Sequence, residues 1–150
     1  MNEPRAVMLQ LPWPPSINSY WKRSKFGSVY VSSEGKAYGV AVVALIRRLQ
    51  EAALVGRISL DAKFYPPNRQ RRDLDNCLKV MIDAIQASGI ISNDFQIKKL
   101  SAEMFEPIPN GGAIVAARAS PLVRLRGFNF ALATIALHLL IVQIARIGDW

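Results

Sequence analysis

The fold is decided by residues 57–89, which read RISLDAKFYPPNRQRRDLDNCLKVMIDAIQASG. Apolar and polar residues alternate over 57–65, and a period of two predicts a strand with one buried face. Two prolines end that strand, and a basic loop then leads to Asp73. Apolar residues recur at helical spacing over 74–88, and Gly89 supplies a C-terminal stop. This stretch therefore predicts a strand, a basic loop and an amphipathic helix in succession.

The sequence before this stretch predicts one strand, one loop and one long helix. Residues 7–11 are typical of a short strand. The prolines in 11–21 predict a stiff, extended loop without helix, and 28–31 could add a short strand. Ser32 or Ser33 is a suitable N-cap for a helix that reaches about Leu54 and stops at Gly56. We expect the buried side of this helix to carry its apolar residues at helical spacing: Ala37, Val40, Ala41, Ala44, Leu45 and Leu49.

After the decisive stretch, two more strands are predicted, at 96–105 and 112–118. The turn between them, 107–111, contains proline and glycine, so we expect the two strands to pair as a hairpin. The order of elements predicts an α/β (α+β) domain over residues 1–118, in which two helices pack on a small mixed β-sheet.

Composition narrows the possible partners and sites. The chain has 150 residues, 19 Lys and Arg, and 11 Asp and Glu, which give a net charge of +8. A small domain with this balance commonly binds a polyanion, with nucleic acid as the first candidate and an acidic membrane surface as the second. Cys77 is the one cysteine and His138 the one histidine, so neither an internal disulfide nor a zinc cluster is expected. Residues 1–11 lack a signal-peptide core, and a cytoplasmic location is expected.

Residues 119–150 differ in composition from the rest of the chain. The segment 128–145 is almost entirely apolar, with Asn129, Thr134, His138 and Gln143 as its few polar interruptions. We expect an atypical, helical C-terminal extension. Its apolar run is near the lower length limit for a bilayer span, and its polar residues argue against burial in lipid. Basic residues flank both ends of the run, so no orientation across a membrane is favoured. A helix that packs on a dimer, or a chain end produced by a frameshifted or fused gene, is favoured instead.

Two carboxylates and an amide stand where the basic loop meets the helix, in Arg71-Arg72-Asp73-Leu74-Asp75-Asn76. Asp73 and Asp75 can converge if Asp73 lies at or before the N-cap, where the backbone is still extended. Carboxylate oxygens suit Mg²⁺, which takes few protein ligands and keeps several waters. Lys79, four residues after Asp75 on the same helical face, could reach a phosphate held there. The pattern is typical of phosphodiester hydrolysis with a metal ion.

Each of these features also has a plain structural interpretation. Asp and Asn are common at helix starts, so the pair could be an ordinary solvated N-terminus. Asp94 by itself reads as a turn residue. The basic residues could be solvated surface. For Trp13, Tyr20 and Trp21, core packing is favoured over contact with DNA, and Cys77 is expected in the core.

Several segments together resemble the RusA family of Holliday junction resolvases of bacteria, prophages and phages. They agree in order and spacing over about residues 7–118: LPWPPSINSY at 11–20, VSSEGKAY at 31–38, RRDLDN at 71–76 with Lys79, Asp83-Ala84, and GIISNDFQI at 89–97.

The resemblance implies a homodimer with two active sites, each of which cuts one of two opposed strands of a four-way DNA junction. It implies Mg²⁺, for which Mn²⁺ can substitute, and no small-molecule cofactor. The implied metal ligands are Asp73, Asp75 and Asp94, so folding is expected to return Asp94 to the start of the helix. Lys79 carries over as the essential lysine, and Asn76 as a residue that supports the metal ligands or positions the phosphate.

The family often has two adjacent acidic residues where this chain has Asn93-Asp94, so one supporting charge is missing here. The remaining expectation concerns DNA binding. The basic residues expected to hold the DNA backbone are Arg69, Arg71, Arg72, Lys98 and Lys99.

Two functions from different classes follow. The first is a structure-selective, Mg²⁺-dependent endodeoxyribonuclease that resolves junctions in recombination, repair or phage DNA processing. The second is a catalytically weak or inactive junction-binding protein of the same fold. The acidic set with Lys79 favours the enzyme, and a membrane-tethered variant rests on the tail alone.

Overall fold

A computed structural model describes residues 4–120 of the chain. In chain order, the helices and strands are β1 Ala6–Leu11, α1 Ile17–Tyr20, β2 Trp21–Arg23, β3 Val29–Val31, α2 Ser33–Arg48, β4 Ile58–Tyr65, α3 Leu74–Ser88, β5 Ile97–Met104 and β6 Gly112–Ala119. A 3-10 turn at Asp94–Gln96 precedes β5. The predicted mixed α/β architecture over this part of the chain is confirmed.

The main sheet has the strand order β1-β6-β4-β5. β6 pairs antiparallel with both β1 and β4, whereas β4 pairs parallel with β5. The predicted hairpin between the last two strands is therefore wrong: β4 lies between β5 and β6. Burial gives the physical reason, because β6 is buried on both faces and takes a central position, while β5 is largely exposed and takes an edge.

The connection after β5 crosses the end of β4 and does not form a tight turn. The Phe105 amide donates to the carbonyl of Phe64, and the Ile108 amide donates to the carbonyl of Pro66. These bonds hold the connection against the C-terminal end of β4 before the chain enters β6.

Helices α2 and α3 pack against each other, with α2 toward β1 and α3 toward β5. α3 matches its prediction at both ends, and Gly89 stops it with a φ of 85°, a backbone conformation that glycine adopts without steric cost. Val80, Met81 and Ile85 of α3 join strand residues such as Phe64 and Val115 in one hydrophobic core.

Helix α2 differs from its prediction in length and in buried face. It begins after Ser32, whose hydroxyl accepts a hydrogen bond from the Gly35 amide at 3.1 Å, as expected of an N-cap. It ends at Arg48, well before Leu54, which instead pairs with Ile91 beside the sheet. The face that enters the core carries Tyr38, Val42 and Ile46.

The apolar face expected for α2 is exposed in the described part of the protein. Val40, Leu45 and Leu49 are exposed large hydrophobic residues, and Ala37, Ala41 and Ala44 are exposed with them. Both faces of the helix contain apolar residues, so spacing alone selected the wrong one.

The segment before α2 contains a helical turn that was not predicted. Its prolines lie before Ser16, which caps α1 through its side chain, so they restrict only the residues that precede the helix. β2 and β3 then form a separate two-stranded sheet.

Within residues 4–120, no helix combines the length and apolar character that crossing a membrane requires. The predicted C-terminal helix and the proposed anchor fall outside the described residues.

Candidate active site

The strand, loop and helix at 58–88 place Asp73 at the N-cap of α3, with an extended backbone (φ −88°, ψ 127°). This is the position from which Asp73 and Asp75 were expected to converge. The Asp73 side chain makes no capping hydrogen bond. Its Oδ2 instead accepts from the Asn76 side-chain amide at 3.2 Å. Both carboxylates are exposed, and neither forms a salt bridge within the described residues.

Asn76 thus contacts a predicted metal ligand directly. Its amide nitrogen donates to one oxygen of Asp73 and leaves the other oxygen available. This geometry fits the supporting role that the resemblance implied for Asn76.

Arg72 stiffens the basic loop that precedes α3. Its guanidinium donates to the Asn68 carbonyl at 3.1 Å, the Gln70 carbonyl at 3.0 Å and the Asn68 side-chain oxygen at 2.7 Å. The same group lies over the ring of Trp13, 5.4 Å from its centroid. Arg72 therefore fixes the loop, and its guanidinium is already engaged by these hydrogen bonds and by the Trp13 ring.

Trp13 connects this loop to the core. Its ring meets Phe64 edge to face at a centroid distance of 6.2 Å, with Arg72 on the ring as well. The expected core packing of Trp13 is confirmed, and Tyr20 also packs against the core. Trp21, in contrast, is exposed, so the same expectation is wrong for it.

A cleft of about 200 Å³ opens beside Asp73. Its lining residues come from the Pro-rich segment, the basic loop and the start of α3: Trp13, Ser16, Asn18, Arg71, Arg72, Asp73, Asn76 and Cys77. The cleft brings the Asp73 carboxylate together with two cations, Arg71 and Arg72.

Lys79 lies on α3 and is paired with Asp83, at 2.7 Å between Nζ and Oδ1. The hydrogen bond that Lys79 donates to Asp83 raises the pKa of Lys79, while partial burial lowers it and the charges of Asp83 and Asp94 raise it further. The lysine is therefore fully charged at neutral pH. Asp83 had no assigned role in the sequence interpretation, although its four-residue spacing from Lys79 is typical of a helical ion pair.

Asp94 begins the 3-10 turn, and a buried glutamine holds this turn in place. The Oε1 of Gln96 accepts from the Ser92 amide at 2.8 Å and from the Asn93 amide at 3.1 Å. Its Nε2 donates to the carbonyls of Leu54 and Gly56 at 3.3 and 3.2 Å. Sequence reasoning missed Gln96. The signal available was the capping-box spacing between Asn93 and Gln96.

Asn93 caps the same turn, since its side-chain oxygen accepts from the Phe95 amide at 3.1 Å. An aspartate at this position could make the same bond, so the departure from the family pattern preserves the local structure and removes one negative charge.

The structure does not bring all three predicted ligands together within one protomer. Asp73 and Asp75 lie at the start of α3, whereas the chain reaches Asp94 only after α3 has ended. The turn that carries Asp94 packs beside α3, and the charge of Asp94 raises the pKa of Lys79 in the second turn of this helix. Among residues 4–120, no group of three or more acidic, histidine or cysteine side chains is arranged to hold a metal ion. The expected return of Asp94 to the start of the helix is therefore not found in the single chain.

The remaining predicted DNA contacts are divided between the loop before α3 and the start of β5. Arg71 lies in the cleft beside Asp73, and Arg69 is exposed with a long contact to Glu106 at 3.5 Å. Lys98 and Lys99 are exposed at the start of β5, close in sequence to Asp94. The Nζ of Lys98 lies 5.7 Å from the ring centroid of Phe95.

Cys77 lines the floor of the cleft and is buried, as expected. Burial raises the pKa of its thiol, the charge of Arg72 lowers it, and Asp73 and Asp75 raise it again. The thiol is protonated at neutral pH and is a poor nucleophile.

Comparison with known proteins gives a consistent result. A family model described as "Endodeoxyribonuclease RusA" matches residues 12–115. The crossover junction endodeoxyribonuclease RusA of Escherichia coli K12 is 33% identical over 107 residues, which cover 71% of this chain and 88% of the relative. The protein of the same name from Enterobacteria phage HK97 is 33% identical over 112 residues, covering 74% of this chain and 90% of the relative. The one from Enterobacteria phage 82 is 32% identical over 107 residues, covering 71% and 88%.

The family match includes Asp73, Asp75, Lys79 and Asp94, and it ends before the apolar C-terminal segment. On this evidence the chain belongs to the RusA family of endodeoxyribonucleases.

Proposed function

We propose that this protein is a structure-selective, Mg²⁺-dependent endonuclease that resolves four-way DNA junctions by paired symmetric nicks. One observation carries the proposal. Asp73 occupies an N-cap without using its carboxylate as a cap, next to Asp75 and in a cleft lined by Arg71 and Arg72. Family membership supports the same chemistry, since the named relatives are crossover junction endodeoxyribonucleases.

The donor set at the start of α3 fits a magnesium ion. Asp73 and Asp75 offer hard oxygen ligands, they are exposed, and no lysine or arginine of the described chain forms a salt bridge with them. Asn76 holds the Asp73 carboxylate in a fixed orientation. Bound there, Mg²⁺ or Mn²⁺ would polarise the scissile phosphate and lower the pKa of an attacking water.

Lys79 is the side chain that we expect to stabilise charge on the phosphate during cleavage. In the structure it donates to Asp83, so DNA binding must exchange that partner for a phosphate oxygen. The exchange is inexpensive, because exposed helical pairs of this kind contribute about 0.3–0.5 kcal/mol. Asp83 then serves to hold Lys79 in place until DNA arrives.

A homodimer is the functional unit that the geometry favours. A site with three carboxylates needs Asp94 beside Asp73 and Asp75, and no such group of three is arranged to hold a metal ion within the described residues of a single chain. We infer that a second protomer supplies the missing carboxylate to each site. Two such sites in one dimer would account for two symmetric cuts.

Arg71, Lys98 and Lys99, together with Arg69, would neutralise DNA phosphates on either side of the site. The net charge of +8 favours association with DNA at low salt. Affinity should fall steeply as salt is added, by a log–log slope of about 0.9 per phosphate contact.

A second function, junction binding with weak or no cleavage, is supported by two observations. The Lys79 ammonium is already paired with Asp83. In addition, the chain has Asn93 where a further acidic residue would strengthen metal binding. The two functions differ in a single assay.

The deciding experiment incubates the purified protein with a synthetic four-way junction, end-labelled on each strand in turn, with and without Mg²⁺. Symmetric nicks in opposed strands support the enzyme, and a shifted but uncut junction supports the binding protein. Asp75→Asn should abolish cleavage while junction affinity measured in EDTA stays within about threefold of wild type, because neutralising a carboxylate removes a metal ligand and no phosphate contact. Loss of affinity in parallel with cleavage would contradict the assignment of Asp75 as a metal ligand.

A further inference from the structure

The hairpin formed by β2 and β3 is exposed over almost its whole length. Trp21 pairs with Val31, Lys22 with Tyr30, and Arg23 with Val29. None of the residues 21–31 is acidic, whereas Lys22, Arg23 and Lys25 are cations, and none of the three forms a salt bridge within the described residues. An exposed β-ribbon that alternates cations and aromatic residues is typical of nucleic-acid contact.

Ser24 organises the tip of the hairpin. The Ser24 amide donates to the Ser28 carbonyl at 2.8 Å, and the Ser24 hydroxyl oxygen accepts from the amides of Phe26 and Ser28 at 3.3 and 3.1 Å. Gly27 completes the turn with a φ of 85°, where a side chain would be strained. The tip is therefore ordered by its own hydrogen bonds.

This ordered tip displays Phe26, whose exposed fraction is 99%. An exposed phenylalanine gains none of the free energy that burial of its ring would give, and the ordered turn makes this exposure a fixed feature. A partner with a flat apolar surface is the simplest use for such a side chain.

The hairpin arises directly beside the cleft. Ser16 and Asn18 line the cleft, α1 continues from them to Tyr20, and β2 begins at Trp21. At about 3.3 Å per residue, the three residues of β2 carry the tip roughly 10 Å outward, which is comparable to the ~12 Å width of the DNA major groove. DNA that reaches the cleft therefore lies within reach of the tip.

We propose that the β2–β3 hairpin is a junction-reading element, in which Phe26 stacks on an unpaired base at the branch point while Lys22, Arg23 and Lys25 contact phosphates. This inference rests on the junction binding proposed above. Stacked base pairs of linear duplex present no free base face to an aromatic ring, whereas a distorted branch point does. Phe26 would then contribute selectivity for branched DNA, and the cations would contribute affinity for any DNA.

An anionic membrane surface could also attract a basic hairpin with an exposed aromatic tip. DNA is favoured because the hairpin adjoins the cleft of a chain that belongs to an endodeoxyribonuclease family.

The experiment compares wild type, Phe26→Ala and Phe26→Trp for binding to a four-way junction and to a linear duplex of matched sequence, in EDTA. We expect Phe26→Ala to bind the junction roughly 5- to 100-fold more weakly, the range for loss of one base–aromatic stack, and to bind duplex within about twofold of wild type. Phe26→Trp should restore junction affinity. A 2-aminopurine placed at the branch point should change its fluorescence on binding wild type and Phe26→Trp, but not Phe26→Ala.

The cations are tested by the double variant Lys22→Gln/Lys25→Gln against the control Arg47→Gln/Arg48→Gln, which removes the same charge from the end of α2. The hairpin variant should reduce the salt slope by about 1.8 for both DNAs, at about 0.9 per contact, and the control should not. Thermal melting identifies any variant that fails to fold.

Unchanged junction affinity in Phe26→Ala overturns the inference, provided that wild type binds the junction. If Phe26→Ala instead loses binding to vesicles of phosphatidylserine and phosphatidylcholine, the hairpin binds membranes and the DNA inference is wrong. If wild type neither binds nor cuts junctions, the proposed function itself fails, so the two failures are distinguishable.

Discussion

Gln96 is the residue whose removal tests most directly whether the Asp94 turn depends on one buried side chain. It is only 7% exposed, and its amide bonds both the turn that precedes β5 and the link that precedes β4. Gln96→Ala removes the Oε1 acceptor for Ser92 and Asn93, and the Nε2 donor for Leu54 and Gly56. Asp94 should then lose its fixed position, because nothing else in the described residues ties this turn to the start of β4 through a side chain.

The magnitude follows from these bonds. The bond to Leu54 is buried, and leaving such a carbonyl unsatisfied costs about 1–3 kcal/mol. The part-buried bonds contribute about 0.5 kcal/mol each, because water can replace them in part. We expect a loss of about 3 kcal/mol in the free energy of unfolding, and a Tm lower by roughly 6–12 °C at about 2–4 °C per kcal/mol.

Urea unfolding measures the stability, and junction cleavage and junction binding measure the function. Gln96→Ala should lose cleavage while it keeps binding at a temperature where it is folded. Gln86→Ala is the matched control, since Gln86 makes no side-chain hydrogen bond within the described residues, and alanine favours the helix. A loss of less than 1 kcal/mol, or cleavage equal to that of the control, would refute the reasoning.

Gln96→Glu tests the acceptor role of Oε1 separately from the donor role of Nε2. A carboxylate keeps the bonds from Ser92 and Asn93 but faces the carbonyls of Leu54 and Gly56 without a proton to donate. Burial and these carbonyls should raise the folded-state pKa of the new carboxyl above its unfolded value. The variant should therefore be most stable below the unfolded pKa and should lose stability as the pH rises through the folded pKa, unlike wild type at the same site.

Three further predictions concern side chains around the core and the cleft. The Tyr38 hydroxyl is buried without a hydrogen-bond partner among the described residues, and burial raises its pKa. Tyr38→Phe should therefore raise the free energy of unfolding, measured by urea titration, by up to about 1 kcal/mol. A loss of stability would indicate that the hydroxyl is hydrogen-bonded. Arg72→Lys keeps the charge but loses the forked hydrogen bonds to Asn68 and Gln70. Protease cleavage in the loop should therefore be faster, while the salt slope of DNA binding stays unchanged. An unchanged rate of protease cleavage would show that Arg72 does not hold the loop. Asp83→Asn should lower the free energy of unfolding by no more than about 0.5 kcal/mol and should lower the pKa of Lys79, measured by NMR titration. Because Asp83 raises that pKa, its stabilising effect is present below the unfolded pKa of lysine and disappears as the pH rises through the folded pKa. A variant with the same alkaline unfolding profile as wild type would contradict the pairing.

The sequence predicted local structure well where one physical signal dominated. Helix α3 was placed correctly at both ends, because the Asp73 position and Gly89 are unambiguous boundary signals. The alternating burial of β4 followed from its period of two. The N-cap location of Asp73 was inferred from the requirement that it approach Asp75.

What the sequence did not predict depends on partners that are distant in the chain. Periodicity identified β5 and β6 but not their neighbours, since a short connection between strands fits a hairpin as well as a crossing of β4. Helix α2 is apolar on more than one side, so only the sheet and α3 decide that Tyr38 and Val42 face inward. The distance between Asp94 and Asp73 is set by the length of α3 and by the parallel pairing of β4 and β5, neither of which is a local property.

The central position of β6 has a consequence for the order in which the strands of the sheet can pair during synthesis. β1 is synthesised first, yet its only neighbour in the sheet is β6, the last strand of the described chain. The β4–α3–β5 unit can associate as soon as it leaves the ribosome, whereas β1 must wait for a partner synthesised roughly a hundred residues later. Trp13 follows β1 and supports the loop that precedes Asp73, so the cleft is completed only when that last strand is inserted. The cleft should therefore form late in folding, together with the completed sheet.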